Sequence, residues 1–122
     1  MKILGIDDNK DLLNLSEIAL RSGGHEYTGK DNGKDGLKAI KDEKFDIVLL
    51  DLSMPDFSGE DVIDALVKDG IMNKQKVVIF TATSPTKEMV ELFLEKGAHS
   101  ILKKPFDADI LLEFVHKLES ER

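Results

Sequence analysis

Residues 46–59 read DIVLLDLSMPDFSG, an apolar run that ends in an aspartate and is followed at once by a Met-Pro turn and a glycine. Residues 47–50 are apolar at every position, as are residues 77–80, which is typical of central parallel strands covered by helices on both faces. A carboxylate at the end of such a strand is costly to bury unless it has a partner or a chemical role. The stretch therefore predicts an α/β fold with Asp51 in a functional crevice.

The rest of the chain alternates short apolar runs with amphipathic helical patterns, which indicates βα units around a parallel sheet. The predicted strands are residues 2–6, 25–29, 46–50, 76–80 and 100–103. We expect the third helix to follow the N-cap Ser58, and the fourth to follow Ser84 with Pro85 as its first residue. Asn32-Gly33 is interpreted as a simple turn. Right-handed crossovers then give a doubly wound, five-stranded sheet.

Composition limits the class of protein. The chain has 122 residues, of which 41% are hydrophobic and 34% charged, the balance of one globular domain over residues 1–122. No apolar stretch is long enough to span a membrane and the N-terminus turns acidic too early for a signal peptide, so we expect a cytoplasmic protein without membrane contact. A net charge of -7 argues against direct nucleic-acid binding, and the lack of cysteine excludes thiolate metal sites.

Polar side chains gather where the predicted strands end. In an open parallel sheet the functional crevice lies beyond the carboxyl ends of the strands. The residues found there are Asp7, Asp8, Asp51, Thr81 and Lys104. Each has an ordinary explanation by itself, and the first two aspartates could simply begin the first helix, where carboxylates are favoured. Together they predict one site, because the whole set would otherwise have to meet at one edge by chance.

Three carboxylates in one crevice need a counter-charge. Two of them ~5 Å apart repel by about 3 kcal/mol at an effective dielectric of ~20, and one lysine does not neutralise three. The donors are all oxygen and none of the three histidines is assigned to the site, which favours Mg²⁺ over Zn²⁺. Asp51 could then attack a phosphoryl group to give an aspartyl phosphate, with Mg²⁺ and Lys104 stabilising its oxygens and Thr81 donating a hydrogen bond.

These residues resemble the receiver domain of two-component response regulators. The acidic pair at 7–8, LLDLSMPDFSG at 49–59, FTA at 80–82 and GAHSILKKPF at 97–106 match the family pattern in order and approximate spacing. The resemblance covers essentially the whole chain. It implies a (βα)5 flavodoxin-like, CheY-like fold whose five parallel strands have the order 2-1-3-4-5.

The resemblance also implies a role for each residue of the predicted site. Asp51 would be the phosphoacceptor, Thr81 the switch hydroxyl and Lys104 the lysine that contacts the phosphate. The implied Mg²⁺ ligands are Asp7, Asp8, Asp51 and the main-chain carbonyl of Ser53. Pro105 would hold Lys104 extended, through a peptide bond that is typically cis in this family.

One position departs from the family pattern. Ile101 stands where receivers usually carry a Tyr or Phe that swings inward, so output is expected from movement of the loop after Thr81 or from a smaller repacking of Ile101.

Ser53 and Thr83 are expected to face the attacking water. Because small hydroxyl residues orient water poorly, we expect slow to moderate self-dephosphorylation.

The expected function is that of a signalling phosphoacceptor in a phosphorelay, not a metabolic enzyme. The implied phosphodonor is a sensor histidine kinase or a histidine phosphotransfer protein, and the implied output face is the fourth helix, fifth strand and fifth helix. A homodimer that forms on phosphorylation is also compatible with the resemblance. The alternatives are a hydrolase of the haloacid dehalogenase type, a degenerate receiver that only binds partners, and a flavodoxin-like cofactor module. The hydrolase family needs Asp-x-Asp after its first strand, where this chain has Asp7-Asp8-Asn9. Against the flavodoxin-like module, the carboxylates at the first βα turn would repel a flavin phosphate.

Overall fold

The computed structural model of the chain describes residues 1–104 and 107–121. Strands and helices alternate along it. In chain order they are β1 (Lys2–Ile6), α1 (Lys10–Ser22), β2 (Glu26–Lys30), α2 (Gly33–Asp42), β3 (Ile47–Asp51), α3 (Gly59–Lys68), β4 (Val77–Thr81), α4 (Lys87–Glu95), β5 (Ser100–Lys103) and α5 (Ala108–Ser120). A short 3₁₀ turn, Met72–Lys74, precedes β4. Within these residues no helix is long and apolar enough to cross a membrane.

The five strands form one parallel sheet in the order β2-β1-β3-β4-β5. The predicted doubly wound fold and its strand order are therefore confirmed. The order reverses between β1 and β3, and ligands of such sheets bind outside the carboxyl ends of the strands at this switch point. Asp51 is in register with Phe80, and Thr81 with Lys103, so the ends of β3, β4 and β5 lie at one edge.

Helices cover both faces of the sheet, which explains the uninterrupted apolar strands. The helices α2, α3 and α4 pack on one face through residues such as Ile40, Ile63 and Phe93. The other face is covered by α1 and α5, through residues such as Leu20 and Val115. Successive strand residues point alternately into the two cores, so a central strand has no side open to water.

The start of α4 differs from the prediction. Thr86, not Ser84, is its N-cap, and the Thr86 hydroxyl accepts a hydrogen bond from the N–H of Met89 at 3.1 Å. Pro85 therefore precedes the helix instead of forming its first residue. Ser84 and Thr86 both carry a hydroxyl that could cap the helix. The cap is the residue whose oxygen lies within hydrogen-bond distance of an otherwise unpaired N–H in the first turn.

Asn32-Gly33 is likewise more than a turn. The Asn32 side chain accepts a hydrogen bond from the N–H of Asp35 at 2.8 Å, so Asn32 is the N-cap of α2 and Gly33 its first residue. At α3 the prediction is confirmed. Ser58 and Asp61 form a capping box in which each side chain accepts from the other's main-chain N–H.

Three strands lie one residue later than predicted. His25 belongs to the turn that ends α1, because its N–H donates to the carbonyl of Leu20 at 3.0 Å, and β2 begins after it. The same shift makes Asp51 and Thr81 the last residues of β3 and β4 rather than residues that follow them. Paired strands, not free loops, thus hold these two side chains.

Candidate functional site

Three aspartates meet at the carboxyl edge of the sheet, beside the switch point. Asp7 and Asp8 follow β1, and Asp51 ends β3. Each offers one carboxylate oxygen, and these oxygens lie within 4.8 Å of one another. Asp7 and Asp51 are buried, whereas Asp8 is exposed. The structure thus brings together the three carboxylates singled out in the sequence.

Lys104 enters this cluster from the end of β5. Its Nζ lies 2.6 Å from Asp7 Oδ2 and 3.3 Å from Asp51 Oδ1, and its main-chain N–H donates to the carbonyl of Thr81. Burial by itself lowers the pKa of Lys104, but the hydrogen bond and charge of Asp7, together with those of Asp51, outweigh it, so the pKa is raised. The ammonium is therefore held charged between two buried carboxylates.

Asp51 is an energetically unfavourable anion in this place. Burial and the charge of Asp7 raise the pKa of the Asp51 carboxyl, although Lys104 and the N–H of Ser53, 3.4 Å away, act in the opposite direction. One ammonium among three carboxylates leaves the crevice negative. An all-oxygen donor set of this charge fits a hard divalent cation such as Mg²⁺.

The other predicted residues lie around this cluster. Thr81 is buried, and its hydroxyl donates a hydrogen bond to the carbonyl of Thr83 in the loop after β4. Ser53 and Thr83 are exposed. Ile101, which departs from the expected aromatic residue, is only 8% exposed and packs in the core under α2, α3 and α4. The cis peptide bond expected at Pro105 lies outside the described residues.

Close backbone contacts shape the loop from β3 to α3. Met54 is buried in the core, and Asp56 has φ of 66°, a left-handed conformation that aspartate tolerates better than most residues. A Cβ at Gly59 would collide with the carbonyl oxygen of Asp51 and approach Leu52 Cα to 2.8 Å. Glycine at this position lets α3 begin directly against the backbone of Asp51.

Neither of the first two aspartates is the N-cap of α1. Asn9 is the N-cap of α1, and its side chain accepts from the N–H of Leu12 at 3.1 Å. Asp7 instead accepts the N–H of Asn9 at 2.9 Å and binds Lys104 with its other oxygen. Asp7 is therefore more than a helix starter, because its carboxylate is held by Lys104. Asn9 was missed in the sequence, although an Asn before an amphipathic run is a known start signal.

Fold and site together define a class of protein, a doubly wound α/β domain with an acidic crevice and a lysine at its switch point. The family model described as the response regulator receiver domain matches residues 3–116. The chain belongs to this family, whose members are signalling domains of two-component systems. The receiver interpretation is thereby favoured over the hydrolase.

Two relatives illustrate the match. The chain is 32% identical over 112 residues to the transcriptional regulatory protein DltR of Streptococcus agalactiae, covering 92% of this chain and 49% of that protein. It is 35% identical over 105 residues to the DNA-binding response regulator MtrA of Mycobacterium tuberculosis, covering 86% of this chain and 44% of that protein. The chain thus spans about half the length of these curated relatives.

Solved receiver structures are similar over almost their whole length. The receiver domain of the Francisella response regulator 1452 has a TM-score of 0.86 and 28% identity, covering 98% of this chain and 97% of that one. The response regulator TrrA of Thermotoga maritima, solved in complex with Mg²⁺-BeF, has a TM-score of 0.79 and 30% identity, covering 96% and 97%. The CheY-like fold expected from the sequence is confirmed.

The crowded carboxylates predict a stability that depends on Mg²⁺. Asp8→Asn is expected to raise the melting temperature without Mg²⁺, because it relieves repulsion, and to reduce the further increase that Mg²⁺ provides. Thermal denaturation with EDTA and with excess Mg²⁺ measures both. Asp11→Asn, an exposed acid in the first turn of α1, is the control and should keep the full Mg²⁺ increment. Wild-type behaviour of Asp8→Asn in both conditions would contradict a tight acidic cluster.

Proposed function

We propose that residues 1–122 form a single receiver domain that accepts a phosphoryl group on Asp51. The observation that carries this proposal is the ammonium of Lys104, which contacts both Asp7 and Asp51 within a cluster of three carboxylates. Asp51 is a buried carboxylate that lies next to both a like charge and a fixed cation. When it bonds to a phosphoryl group it loses its own negative charge, and the same cation then stabilises the charge on the phosphoryl oxygens.

In the proposed reaction an Asp51 oxygen forms a bond to phosphorus while the phosphorus–nitrogen bond of a phosphohistidine breaks, and the departing imidazole takes up a proton. Lys104 balances charge on the phosphoryl oxygens. Thr81 gives up its hydrogen bond to the carbonyl of Thr83 and donates to a phosphoryl oxygen instead. When bound, Mg²⁺ would neutralise charge on the transferring group. Its proposed ligands are Asp7, Asp8, Asp51 and the main-chain carbonyl of Ser53.

The proposed signal leaves the site through the loop between β4 and α4. A change of partner at Thr81 pulls on this loop, whose far end is fixed by the Thr86 cap of α4. Ile101 is packed beside β4 and can adjust without an aromatic rotation. We expect the output partner, or a second copy after phosphorylation, to contact the face of α4, β5 and α5. Apolar side chains on these helices that remain exposed are Leu92, Leu94 and Ile110.

The phosphodonor in this proposal is a sensor histidine kinase or a histidine phosphotransfer protein, and the reaction takes place in the cytoplasm. MtrA is by its name a DNA-binding protein, but it is about twice as long as this chain. With a net charge of -7, residues 1–122 themselves are not expected to contact nucleic acid. Exposed Ser53 and Thr83 orient water poorly, so self-dephosphorylation should be slow to moderate.

Intact mass spectrometry tests the proposal directly. Incubation with acetyl phosphate and Mg²⁺ is expected to add one phosphate per chain, and EDTA should suppress the addition. The phosphate should be removed by hydroxylamine, as an acyl phosphate is. No gain in mass, or a gain that is resistant to hydroxylamine, would contradict an aspartyl phosphate. Multiple turnover of a simple phosphate ester would instead favour the hydrolase.

A further inference from the structure

Tyr27 lies across β1, with its hydroxyl over Gly5. A Cβ at Gly5 would collide with the Tyr27 hydroxyl oxygen and would lie 2.8 Å from Cζ of the ring. Glycine weakens the interior of a strand, and its presence often marks the close approach of another group. Gly5 therefore makes room for a tyrosine that reaches over from β2, the neighbouring strand.

The Tyr27 ring leads to a small polar cavity directly behind the acidic cluster. Its volume is about 20 Å³, and its polar lining comes from Asp7, Ser16, Tyr27 and Asp51. A cavity needs ~10–15 Å³ and two to four polar partners to hold one water molecule, so this one meets both conditions. The remaining lining is apolar, so these four residues supply the polar side chains that a water molecule there could contact.

The hydroxyl groups of this cavity come from two elements. Tyr27 of β2 and Ser16 of α1 both line it, and the two residues are only 5% and 6% exposed. Because Ile3 and Ile47 belong to the core under α1 and α5, strand alternation turns Asp7 and Asp51 toward the same side of the sheet. Tyr27 and Ser16 thus lie on the same face of the sheet as both carboxylates and line one cavity with them.

We propose that Tyr27 and Ser16 are positioning residues, which hold the Asp7 and Asp51 carboxylates through one water in this cavity. The role rests on the proposed function of the site, because it concerns the geometry that receives Mg²⁺ and the phosphoryl group. Each carboxylate keeps lone pairs beyond those used by Lys104 and the main-chain N–H groups, so it can accept a further hydrogen bond. Partners of this kind behind a metal ligand set its orientation and thereby the metal affinity.

Two variants and a matched control test this role. Tyr27→Phe keeps the ring over Gly5 and removes only the hydroxyl, and Ser16→Ala removes the second hydroxyl of the cavity. The control is Ser22→Ala, also on α1, whose hydroxyl donates to the Ala19 carbonyl at 2.6 Å and is not part of the cavity. The quantity measured is the Mg²⁺ concentration that gives half of the maximal thermal stabilisation. It should rise about tenfold in the first two variants, the lower end of such effects, and stay unchanged in the control.

Tyrosine emission supplies a second readout that a purely structural role would not move. Tyr27 is the one tyrosine of the sequence, which has no tryptophan, so this emission comes from the cavity alone. Adding Mg²⁺ should change it in the wild type with the same half-saturation as the thermal shift, and at a higher concentration in Ser16→Ala. Half-saturation in Tyr27→Phe and Ser16→Ala equal to that of Ser22→Ala would overturn the positioning role alone. A wild type that is neither stabilised by Mg²⁺ nor phosphorylated would overturn the proposed function and this role with it.

Discussion

Asp51→Asn is expected to take up no phosphate and, without Mg²⁺, to melt at a higher temperature than the wild type. The amide cannot act as the nucleophile, whereas the same substitution removes a charge that the fold tolerates poorly. Burial and the charge of Asp7 raise the pKa of the Asp51 carboxyl, so its ionised form destabilises the folded chain. Lys104 loses one of its two carboxylates but keeps Asp7 at 2.6 Å.

The pH dependence of this gain in stability follows from the direction of the shift. A carboxyl whose pKa is raised by folding binds its proton more tightly in the folded state, so its contribution is most favourable below the ordinary value of 3.8 and is lost as pH rises through the folded pKa. The difference in melting temperature between Asp51→Asn and wild type should therefore be positive at neutral pH and shrink as pH falls toward 3.8. Thermal scans in EDTA at several pH values measure it.

Asp56→Asn is the control for both effects. Asp56 is exposed in the same loop, and asparagine accepts its left-handed backbone as readily as aspartate. This variant should take up phosphate at the wild-type rate, with no comparable gain in stability. Uptake by Asp51→Asn equal to that of wild type would show that phosphate is attached elsewhere.

Much of the fold could be predicted because it depends on local pattern. Two all-apolar runs required a sheet covered on both faces, and the capping box of Ser58 and Asp61 fixed the start of α3 within a few residues of sequence. The start of α4 could not be predicted in the same way. Ser84 is the better cap by residue type, and Thr86 takes the position because the choice between them depends on where the chain leaves β4.

The candidate site shows the same division between local and tertiary information. That Asp7, Asp8, Asp51 and Lys104 lie together followed from the common edge of parallel strands. The contact of Lys104 with Asp7 joins residues 97 positions apart and depends on how the end of β5 approaches β1. Tyr27 behind the site was not predicted either. Its signal was Gly5, a glycine inside a buried strand, which shows that a group approaches but not which one.

Gly59→Ala is expected to destabilise the chain and to slow phosphate uptake, through one collision. If no atom lay close to position 59, alanine would stabilise the helix by about 1 kcal/mol relative to glycine. Whether the variant is less or more stable than the wild type therefore tests the contact. A Cβ here meets the carbonyl oxygen of Asp51 and lies 2.8 Å from Leu52 Cα, and these backbone atoms cannot rotate away. Overpacking of this kind typically costs about 1–3 kcal/mol, and urea denaturation measures it.

The effect on uptake distinguishes this contact from a general loss of stability. Moving the Asp51 backbone displaces the nucleophile, and a shift of about 1 Å can slow a reaction as much as about 100-fold, so at least about tenfold slower uptake from acetyl phosphate is expected. Gly70→Ala is the matched control, since Gly70 has φ of 72° and no atom within 4 Å of an added Cβ. That variant should lose stability through backbone strain alone and keep the wild-type rate where it is fully folded. If Gly59→Ala were as stable and as fast as wild type, the backbone of Asp51 could not be held by the start of α3.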